Sequence, residues 1–188
     1  GLGDVYKRQA IALAQLIKEM SYMLEVAQRA LDKAMDNFIN RTEDEEPVRK
    51  DLREINFLSG KVTDYLIRLS EEDMSHNDEL TVSSLYKVLS DIMRVADFSN
   101  NIMRYLRVAV ANELYFSSEG LNEIKEMYSL VDELFKDVDY TFANRTTRLL
   151  AKIEDTESKT DKFKLQLQQN HLDRLKGGNC KSESSSLY

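Results

Sequence analysis

The segment from Asp91 to Asn101 carries the residues whose types and spacing could do chemistry. Within it, Asp97 and Asn101 stand four positions apart, and Asn100 lies beside them. Residues at this spacing share one face of a helix, so a carboxylate and two amide oxygens are presented together. Oxygen donors of this kind suit hard divalent cations. Asp91 in the same segment and Glu54 in a neighbouring helix could complete such a metal site.

A structural interpretation of the same residues stays open. Asp97 would then pair with Arg94 or Arg104 at the helix surface, and the two asparagines would fix the register of the helix in a bundle. Spacing alone favours this interpretation over a metal or phosphate site. Asp51 is the other acid that could face the segment from the neighbouring helix.

Other catalytic and metal-binding patterns are weak in this sequence. His76 and His171 have no cysteine or second histidine at the spacing of zinc ligands. Cys180 is the single cysteine, which rules out an internal disulfide. The sequence has no Gly-rich phosphate loop, no serine nucleophile motif and no inward Glu-x-x-His pair of a di-iron bundle. We therefore expect a protein that is not an enzyme.

Composition and charge limit the class of partner. The 188 residues are 42% hydrophobic and 31% charged, which is usual for a soluble globular chain. A net charge of −7 and the lack of a basic stripe disfavour nucleic acid as a ligand. No apolar run approaches the roughly 20 residues of a membrane span, and a single cysteine fits a reducing compartment.

Apolar residues at steps of three and four predict long helices, and strands are disfavoured because period-2 runs are absent. Only six Gly and one Pro could interrupt these helices. The first two predicted helices run from Ile11 to near Asn40 and from Pro47 to Leu69, and the third covers about 35 residues after a polar break at 70–78. The fourth runs from a cap at Ser117 or Ser118 to Phe142, and the fifth covers about 146–175.

Short matches in the same order indicate an internal duplication. Each segment recurs 102 to 107 positions later: 17–20 at 124–127, 38–42 at 142–146, 66–69 at 172–175, and 83–86 at 185–188. A repeat of this length is a small domain rather than a solenoid unit.

The duplication predicts an all-α fold of two tandem three-helix bundles, of which the second lacks most of its last helix. We expect a non-native head at residues 1–10, the first bundle at 11–115 and the incomplete second bundle at 116–188. The missing helix would leave apolar side chains of the second bundle partly uncovered, namely Leu121, Val131, Phe135, Phe163 and Leu167.

The segment from Asp91 to Asn101 also resembles the signature of the PhoU family, in which Leu-Glu-Arg-Ile-Gly/Ala-Asp-His is followed by Asn and Ile. The matching residues are Arg94, Val95, Ala96, Asp97, Asn101 and Ile102. Residues 54–56 and 65–69 resemble the second helix of PhoU-like domains attached to bacterial Na⁺/phosphate cotransporters. Residues 171–180 are similar to the matching stretch of their second repeat. The resemblance covers residues 11–188 and includes a PhoU-like tandem bundle.

This resemblance implies a cytosolic regulatory domain of a Na⁺/phosphate cotransporter, on the cytoplasmic side of the cell membrane. The expected partner is the transmembrane transporter domain of the full-length chain, and a homodimer stays open. One alternative is a free-standing PhoU-type regulator of a phosphate ABC transporter and its sensor kinase. A second alternative is a helical adaptor unrelated to phosphate.

The resemblance further implies a divalent metal ion held by acidic residues of the signature. The residues expected to hold it here are Asp97, Asn101, Asn100, Asp91 and Glu54. Family members usually carry Glu where Met93 stands and His where Phe98 stands. A thioether is a poor ligand for a hard cation, so we expect the metal to bind weakly or not at all. No other cofactor is implied.

Overall fold

The computed structural model describes residues 1–144, 155, 158–166 and 169–170. All regular structure in these residues is helical, and none of them forms a strand, so the all-α prediction is confirmed. The helices with complete bounds are α1 (Leu2–Asn40), α2 (Glu46–Ser70), α3 (His76–Ala111) and α4 (Ser118–Asn144). Residues 158–166, inside the predicted helix at 146–175, are helical as well. No helix in this part of the chain is both long and apolar enough to cross a membrane.

Local chemistry explains where the helices begin and end. Pro47 lies in the first turn of α2, as predicted, where its missing N–H group needs no partner. The Oγ of Ser117 accepts a hydrogen bond from the backbone N–H of Gly120 at 3.0 Å and caps α4. The Oγ of Ser75 likewise accepts from the N–H of Asp78 at 3.2 Å. Because of this cap, α3 begins at His76, inside the polar break predicted at residues 70–78.

The first helix also starts earlier than the apolar pattern indicates. α1 begins at Leu2, whereas the pattern begins at Ile11. Gln9 is buried, and its Nε2 donates to Glu72 Oε2 at 3.1 Å and to the Asp73 carbonyl oxygen at 2.6 Å. Residues 2–10 therefore extend the helix, although the pattern excludes them. That residues 1–10 are a non-native head stays a prediction.

The chain forms two compact units that do not follow sequence order. Unit 1 comprises Gly1–Lys33 and Glu45–Ser99, and unit 2 comprises Ala34–Asp44 and the chain from Asn100 onward. α1 and α3 therefore each contribute to both units. The division into bundles at residue 115 and the internal duplication stay predictions.

The core of unit 1 is built from one apolar stripe on each of three helices. On α2 the buried apolar residues are Val48, Ile55, Val62, Leu66 and Leu69. On α1 and α3 they include Met20, Met23, Ala27, Ala30, Leu85, Ile92 and Val95. Each fully buried large side chain stabilises the fold by about 1.5–3 kcal/mol, so these stripes hold the three helices together.

In unit 2, aromatic contacts involve the end of α1, the end of α3 and the segment that leads into α4. The rings of Phe38 and Phe116 lie 4.8 Å apart between centroids, and the ring of Tyr105 lies 6.2 Å from that of Phe116. Such tilted pairs stabilise by about 0.5–1.5 kcal/mol beyond the area that they bury.

The prediction that apolar side chains of the second bundle are partly uncovered is wrong for two residues of α4. Val131 and Phe135 are 5% and 2% exposed, because α4 shares unit 2 with the ends of α1 and α3 as well as with later residues. Leu121 and Phe163 are partly exposed, as predicted. Leu167 lies outside the described residues.

α1 and α3 are each followed by a residue that has a left-handed backbone conformation and is not glycine. Arg41 has a φ of 56° and Glu113 a φ of 54°. The N–H of Thr42 then donates to the Asn37 carbonyl oxygen, and the N–H of Leu114 donates to that of Ala109, each at 2.8 Å. This is the hydrogen bond of a Schellman motif, a helix end that glycine usually provides.

The strain at position 113 predicts a stabilising substitution. Glu113→Gly should raise the free energy of unfolding by up to about 1 kcal/mol, because glycine adopts positive φ without a steric cost. Ser90→Gly, at an exposed position inside α3, is the matched control and should lower it by about 0.5 kcal/mol. Urea unfolding followed by circular dichroism measures both. A loss of stability with Glu113→Gly would contradict the proposed strain.

Candidate functional site

In the polar segment of α3, residues 91–101, the apolar side is buried and the Asp97 side chain lies in solvent. Ile92, Val95 and Ala96 are buried, and the buried Ser99 hydroxyl donates to the Val95 carbonyl oxygen at 3.1 Å. Asp97 is exposed on the opposite side of the helix. The signature segment therefore packs through its small and branched residues and leaves its carboxylate accessible.

The remaining predicted metal ligands on α3 differ in exposure. Asn100 is exposed, while Asn101 is half-buried and its Oδ1 accepts from Arg104 Nη2 at 3.4 Å. Asp91 is half-buried, and its Oδ1 lies 3.8 Å from Arg94 Nη1. The two arginines thus contact Asp91 and Asn101, and the alternative in which they pair with Asp97 is not the arrangement seen.

The two acids of α2 that were candidates to face this segment bind side chains of α1 instead. Asp51 is held by Arg29 and Lys33. Glu54 Oε1 accepts a hydrogen bond from the hydroxyl of Tyr22, and its Oε2 lies 3.8 Å from Arg29 Nη2. Glu54 is therefore already engaged by a phenol and a guanidinium, so it would have to release both to bind a cation.

These positions give no preformed metal shell in the described part of the chain. Nowhere in that part do three or more His, Cys, Asp or Glu side chains come together as potential ligands. The oxygen atoms of Asp97, Asn100 and Asn101 remain a helix-surface set at one-turn spacing. The assignment of Asp97, Asn101, Asn100, Asp91 and Glu54 to a metal site stays a prediction.

The best-defined polar arrangement is instead the α1–α2 charge cluster, formed by Tyr22, Arg29, Lys33, Asp51 and Glu54. Arg29 Nη2 donates to Asp51 Oδ1 at 2.9 Å, and Arg29 Nε lies 3.2 Å from both carboxylate oxygens. Lys33 Nζ donates to Asp51 Oδ2 at 3.0 Å. The Asp51 side chain is 3% exposed, whereas those of Arg29 and Lys33 are 48% and 37% exposed. One buried carboxylate is thus shared by two cations whose other sides contact solvent.

The environment of Asp51 keeps it ionised. Burial by itself would raise the pKa of Asp51, but hydrogen bonds and charges from Arg29 and Lys33 outweigh burial and lower that pKa. The hydrogen bond to Asp51 in turn raises the pKa of Arg29. The hydrogen bond to Glu54 is the main cause that raises the pKa of Tyr22 above its ordinary value of 10.0. All charges in the cluster are therefore matched, which makes it an anchor between helices rather than a proton-transfer site.

The apolar pattern of α2 predicts Leu52 as the buried residue between Val48 and Ile55, and it leaves Asp51 as an acid that could face α3. In the structure Asp51 occupies the stripe between Val48 and Ile55, and Leu52 is only half-buried. The sequence contained a signal for the burial of Asp51, because positions 48, 51 and 55 follow the same three-and-four spacing as the rest of the stripe. Arg29 and Lys33, four positions apart on α1, supply the matching pair of cations.

Comparison with known proteins gives one match. Residues 20–106 match the family model described as PhoU domain, a range that contains all of α2, most of α3 and just over half of α1. No curated protein and no solved structure matches the chain. The matched range includes both the α1–α2 charge cluster and the polar segment of α3.

Removing the charge of Asp51 should destabilise the fold. Asp51→Asn keeps the shape but replaces a charged acceptor by an amide, so we expect the free energy of unfolding to fall by about 1–3 kcal/mol. Asp64→Asn, at an exposed position of the same helix, is the control and should stay within about 0.5 kcal/mol. Urea unfolding at neutral pH measures both.

The pH dependence gives a second readout of the same pair. Because the folded-state pKa of Asp51 is lowered, its contribution is present above its ordinary pKa of 3.8 and is lost as pH falls through the folded value. The difference between wild type and Asp51→Asn should therefore shrink in acid. A difference that stays constant down to the acid transition would show that the carboxylate charge is not the cause.

Proposed function

We propose that this chain is a regulatory helical domain that acts in phosphate transport. The match of residues 20–106 to the PhoU domain carries this proposal, since PhoU domains are regulatory helical domains rather than enzymes. The all-helical fold of the described residues agrees with it. The matched charges of the α1–α2 cluster also favour a binding or regulatory role over general acid–base catalysis.

More narrowly, we propose the cytosolic PhoU-like domain of a Na⁺/phosphate cotransporter, located at the cytoplasmic side of the membrane. The support is the likeness of residues 54–56 and 65–69 to the second helix of such domains. These residues lie on α2, and the partly exposed side chains of Glu54 and Tyr65 are accessible at the surface of unit 1. The transmembrane transporter domain would be the partner within the full-length chain.

The metal site belongs to this proposal as a weak surface site. Asp97, Asn100 and Asn101 offer oxygen atoms on the accessible side of α3. Met93 is half-buried one turn before Asp97, where the family usually has glutamate. A single exposed carboxylate with amide oxygens lacks the charge that tight binding of a hard cation needs. Phosphate transport would then be regulated with little or no help from metal at this position.

The full-length gene distinguishes the cotransporter from the two alternatives. We expect the DNA upstream of Ile11 to encode membrane spans, and the complete protein to restore Na⁺-dependent phosphate uptake in a bacterium that lacks its own uptake systems. Deletion of residues 11–188 should change the uptake rate by more than twofold without abolishing membrane insertion.

Each other outcome of that experiment has a definite meaning. A short upstream sequence together with altered signalling by a phosphate ABC transporter and its sensor kinase would favour the free-standing regulator. No phosphate phenotype in either setting would favour a helical adaptor and overturn the proposed function. Asp64→Asn serves as the surface control, since it alters an exposed acid of α2 outside the signature.

Metal titration tests the ligands residue by residue. Calorimetry of the chain with Mn²⁺, Mg²⁺, Fe²⁺ and Zn²⁺ should show weak binding or none. Met93→Glu adds a carboxylate one turn before Asp97 and should tighten binding at least about tenfold, because affinity follows the number of charged ligands. Ser84→Glu, which adds an acid on another side of α3, should not. Tight binding by the wild type that survives Asp97→Ala would refute this ligand set.

A further inference from the structure

The outward side of α2 carries a row of cations. Lys50, Lys61 and Arg68 are exposed, and Lys61 follows Lys50 by 11 residues and precedes Arg68 by seven. Because an α-helix has 3.6 residues per turn, these steps put all three side chains on one side of α2, over about 27 Å. Within the described residues, none of the three pairs with a carboxylate. Their charges are therefore available to a partner outside the chain.

The acids of α2 do not offset this row. Of its four acids, Asp51 is buried and Glu54 is held by side chains of α1. Glu46 pairs with Arg53 at 2.7 Å, and Asp64 is the other acid on the outward side. All five Lys and Arg residues of α2 are exposed, so this side is basic although the chain has a net charge of −7. By contrast, α4 carries seven acids and two lysines.

A phenyl ring protrudes from the middle of the row. Phe57 is 65% exposed and lies seven residues after Lys50 and four before Lys61, so it points to the same side. The Nζ of Lys61 lies 5.1 Å from the centre of this ring, a cation–π contact that keeps the charge beside the phenyl group. Ile67 is exposed as well. Apolar side chains set among cations are typical of helices that lie at a membrane surface.

Next to Phe57, the surface of α2 is bare. Gly60 is exposed, and a Cβ built on it would meet no atom within 4 Å. Glycine inside a helix destabilises it relative to alanine, and the packing of unit 1 gives no reason to prefer glycine here. Gly60 and Ile67 are seven residues apart and share one side of α2. At this point the helix backbone can therefore approach a flat surface closely.

The spacing of the cations favours an extended anionic surface over a single anion. Lys50 and Lys61 are about 16 Å apart along the helix axis, and Lys61 and Arg68 about 10 Å, so one phosphate ion cannot contact all three. Lipid headgroups present negative charge over the whole length of such a row. The net charge of the chain does not prevent the contact, because charges farther away than about 8 Å are largely screened.

The shape of this side of α2 favours a bilayer over a folded protein. The Phe57 ring stands out from a convex helix surface, so a protein partner would need a matching groove to receive it. The groove that this chain has, lined by Leu16, Leu58 and Val62, lies between α1 and α2 on another side of α2. The boundary between headgroups and acyl chains can instead take up an apolar ring wherever it arrives.

We propose that the outward side of α2, defined by Lys50, Phe57, Gly60, Lys61 and Arg68, binds the surface of an anionic lipid bilayer. The phenyl ring enters the boundary between headgroups and acyl chains, and the three cations contact lipid phosphate groups. Each cation near such a surface strengthens binding about fivefold, so the contact is weak by itself. It becomes effective when the domain is tethered beside the membrane, because a tether raises the effective concentration.

This proposal rests on the membrane location proposed above and adds which side of the domain meets the membrane. Its failure can be told apart from a failure of the proposed function, because vesicle binding is measured without any transport. If the chain binds no vesicles while deletion of residues 11–188 still changes phosphate uptake, the lipid contact is refuted and the regulatory function stands.

Flotation of the 188-residue chain with lipid vesicles tests the contact. The vesicles contain phosphatidylcholine with about one third phosphatidylglycerol, and phosphatidylcholine alone is the neutral control. Lipid is used at about millimolar concentration, because the binding should not exceed the roughly 10⁴ M⁻¹ of a single myristoyl chain. We expect the chain to float with the anionic vesicles only, and to be released at high salt.

Charge reversal locates the lipid contact on α2. Lys61→Glu should weaken binding to the anionic vesicles at least fivefold, and its combination with Lys50→Glu and Arg68→Glu at least tenfold. Lys125→Glu makes the same change of charge at an exposed position of α4 and should leave the binding unchanged. All four positions are exposed, so the midpoint of thermal unfolding should stay the same in each variant.

A fluorescent reporter tests the insertion of the ring. The chain has no tryptophan, so Phe57→Trp introduces a single one. Its emission should shift to shorter wavelength when the anionic vesicles are added, and bromine atoms on the acyl chains should quench it, because the indole leaves water. Leu80→Trp, at a 54% exposed position of α3, is the control and should show neither effect.

Several results would overturn the proposal. These are equal binding to neutral and anionic vesicles, binding to neither, and an equal loss of binding in Lys125→Glu and Lys61→Glu. If the chain binds soluble polyglutamate as tightly as it binds the anionic vesicles, and the emission of Phe57→Trp does not shift, the partner of this side of α2 is an acidic protein and not a bilayer.

Discussion

The buried carboxylate of Asp51 is the constraint on which the arrangement of α1 and α2 depends. It occupies a position in the apolar stripe of α2 that would otherwise hold a hydrophobic residue, and Arg29 and Lys33 must both reach it from α1. A charge buried without partners would be strongly destabilising, so only the register that satisfies both cations is tolerated. The same register brings Tyr22 to Glu54 and sets the groove between Leu16 and Leu58.

The ends of α1 and α3 show a second constraint, which acts in unit 2. Arg41 and Glu113 adopt a conformation that favours glycine, and each is followed by an N–H that satisfies a carbonyl oxygen of the preceding helix. Arg41 is held further, because its guanidinium lies 4.1 Å from the ring centre of Tyr115 and donates to the Ala109 carbonyl oxygen at 3.3 Å. Strain at Arg41 is thus offset by contacts with the end of α3 and with the segment that leads into α4.

In the α3 segment, packing and metal-binding chemistry depend on different properties of the side chains. Ala96 and Ser99 are small and buried, so neighbouring helices can approach α3 closely there. Asp97 faces solvent, and Met93 stands one turn earlier. The packing role depends on size and is met by several residue types. The predicted metal site would instead depend on the number of carboxylates, and the thioether of Met93 adds none.

Local patterns in the sequence determined the helical class, the end of α1 near Asn40 and the place of Pro47 in the first turn of α2, because these depend on local spacing and local hydrogen bonds. They also identified Asp97, Asn100 and Asn101 as one helix-surface set. The pattern could not decide that Asp51 rather than Leu52 is buried, since a lone acid in a stripe is buried only if cations arrive from another helix. It likewise missed that Gln9 belongs to the helix and that Val131 and Phe135 are covered. Those outcomes depend on contacts between residues far apart in sequence, and only the tertiary structure specifies which of them meet.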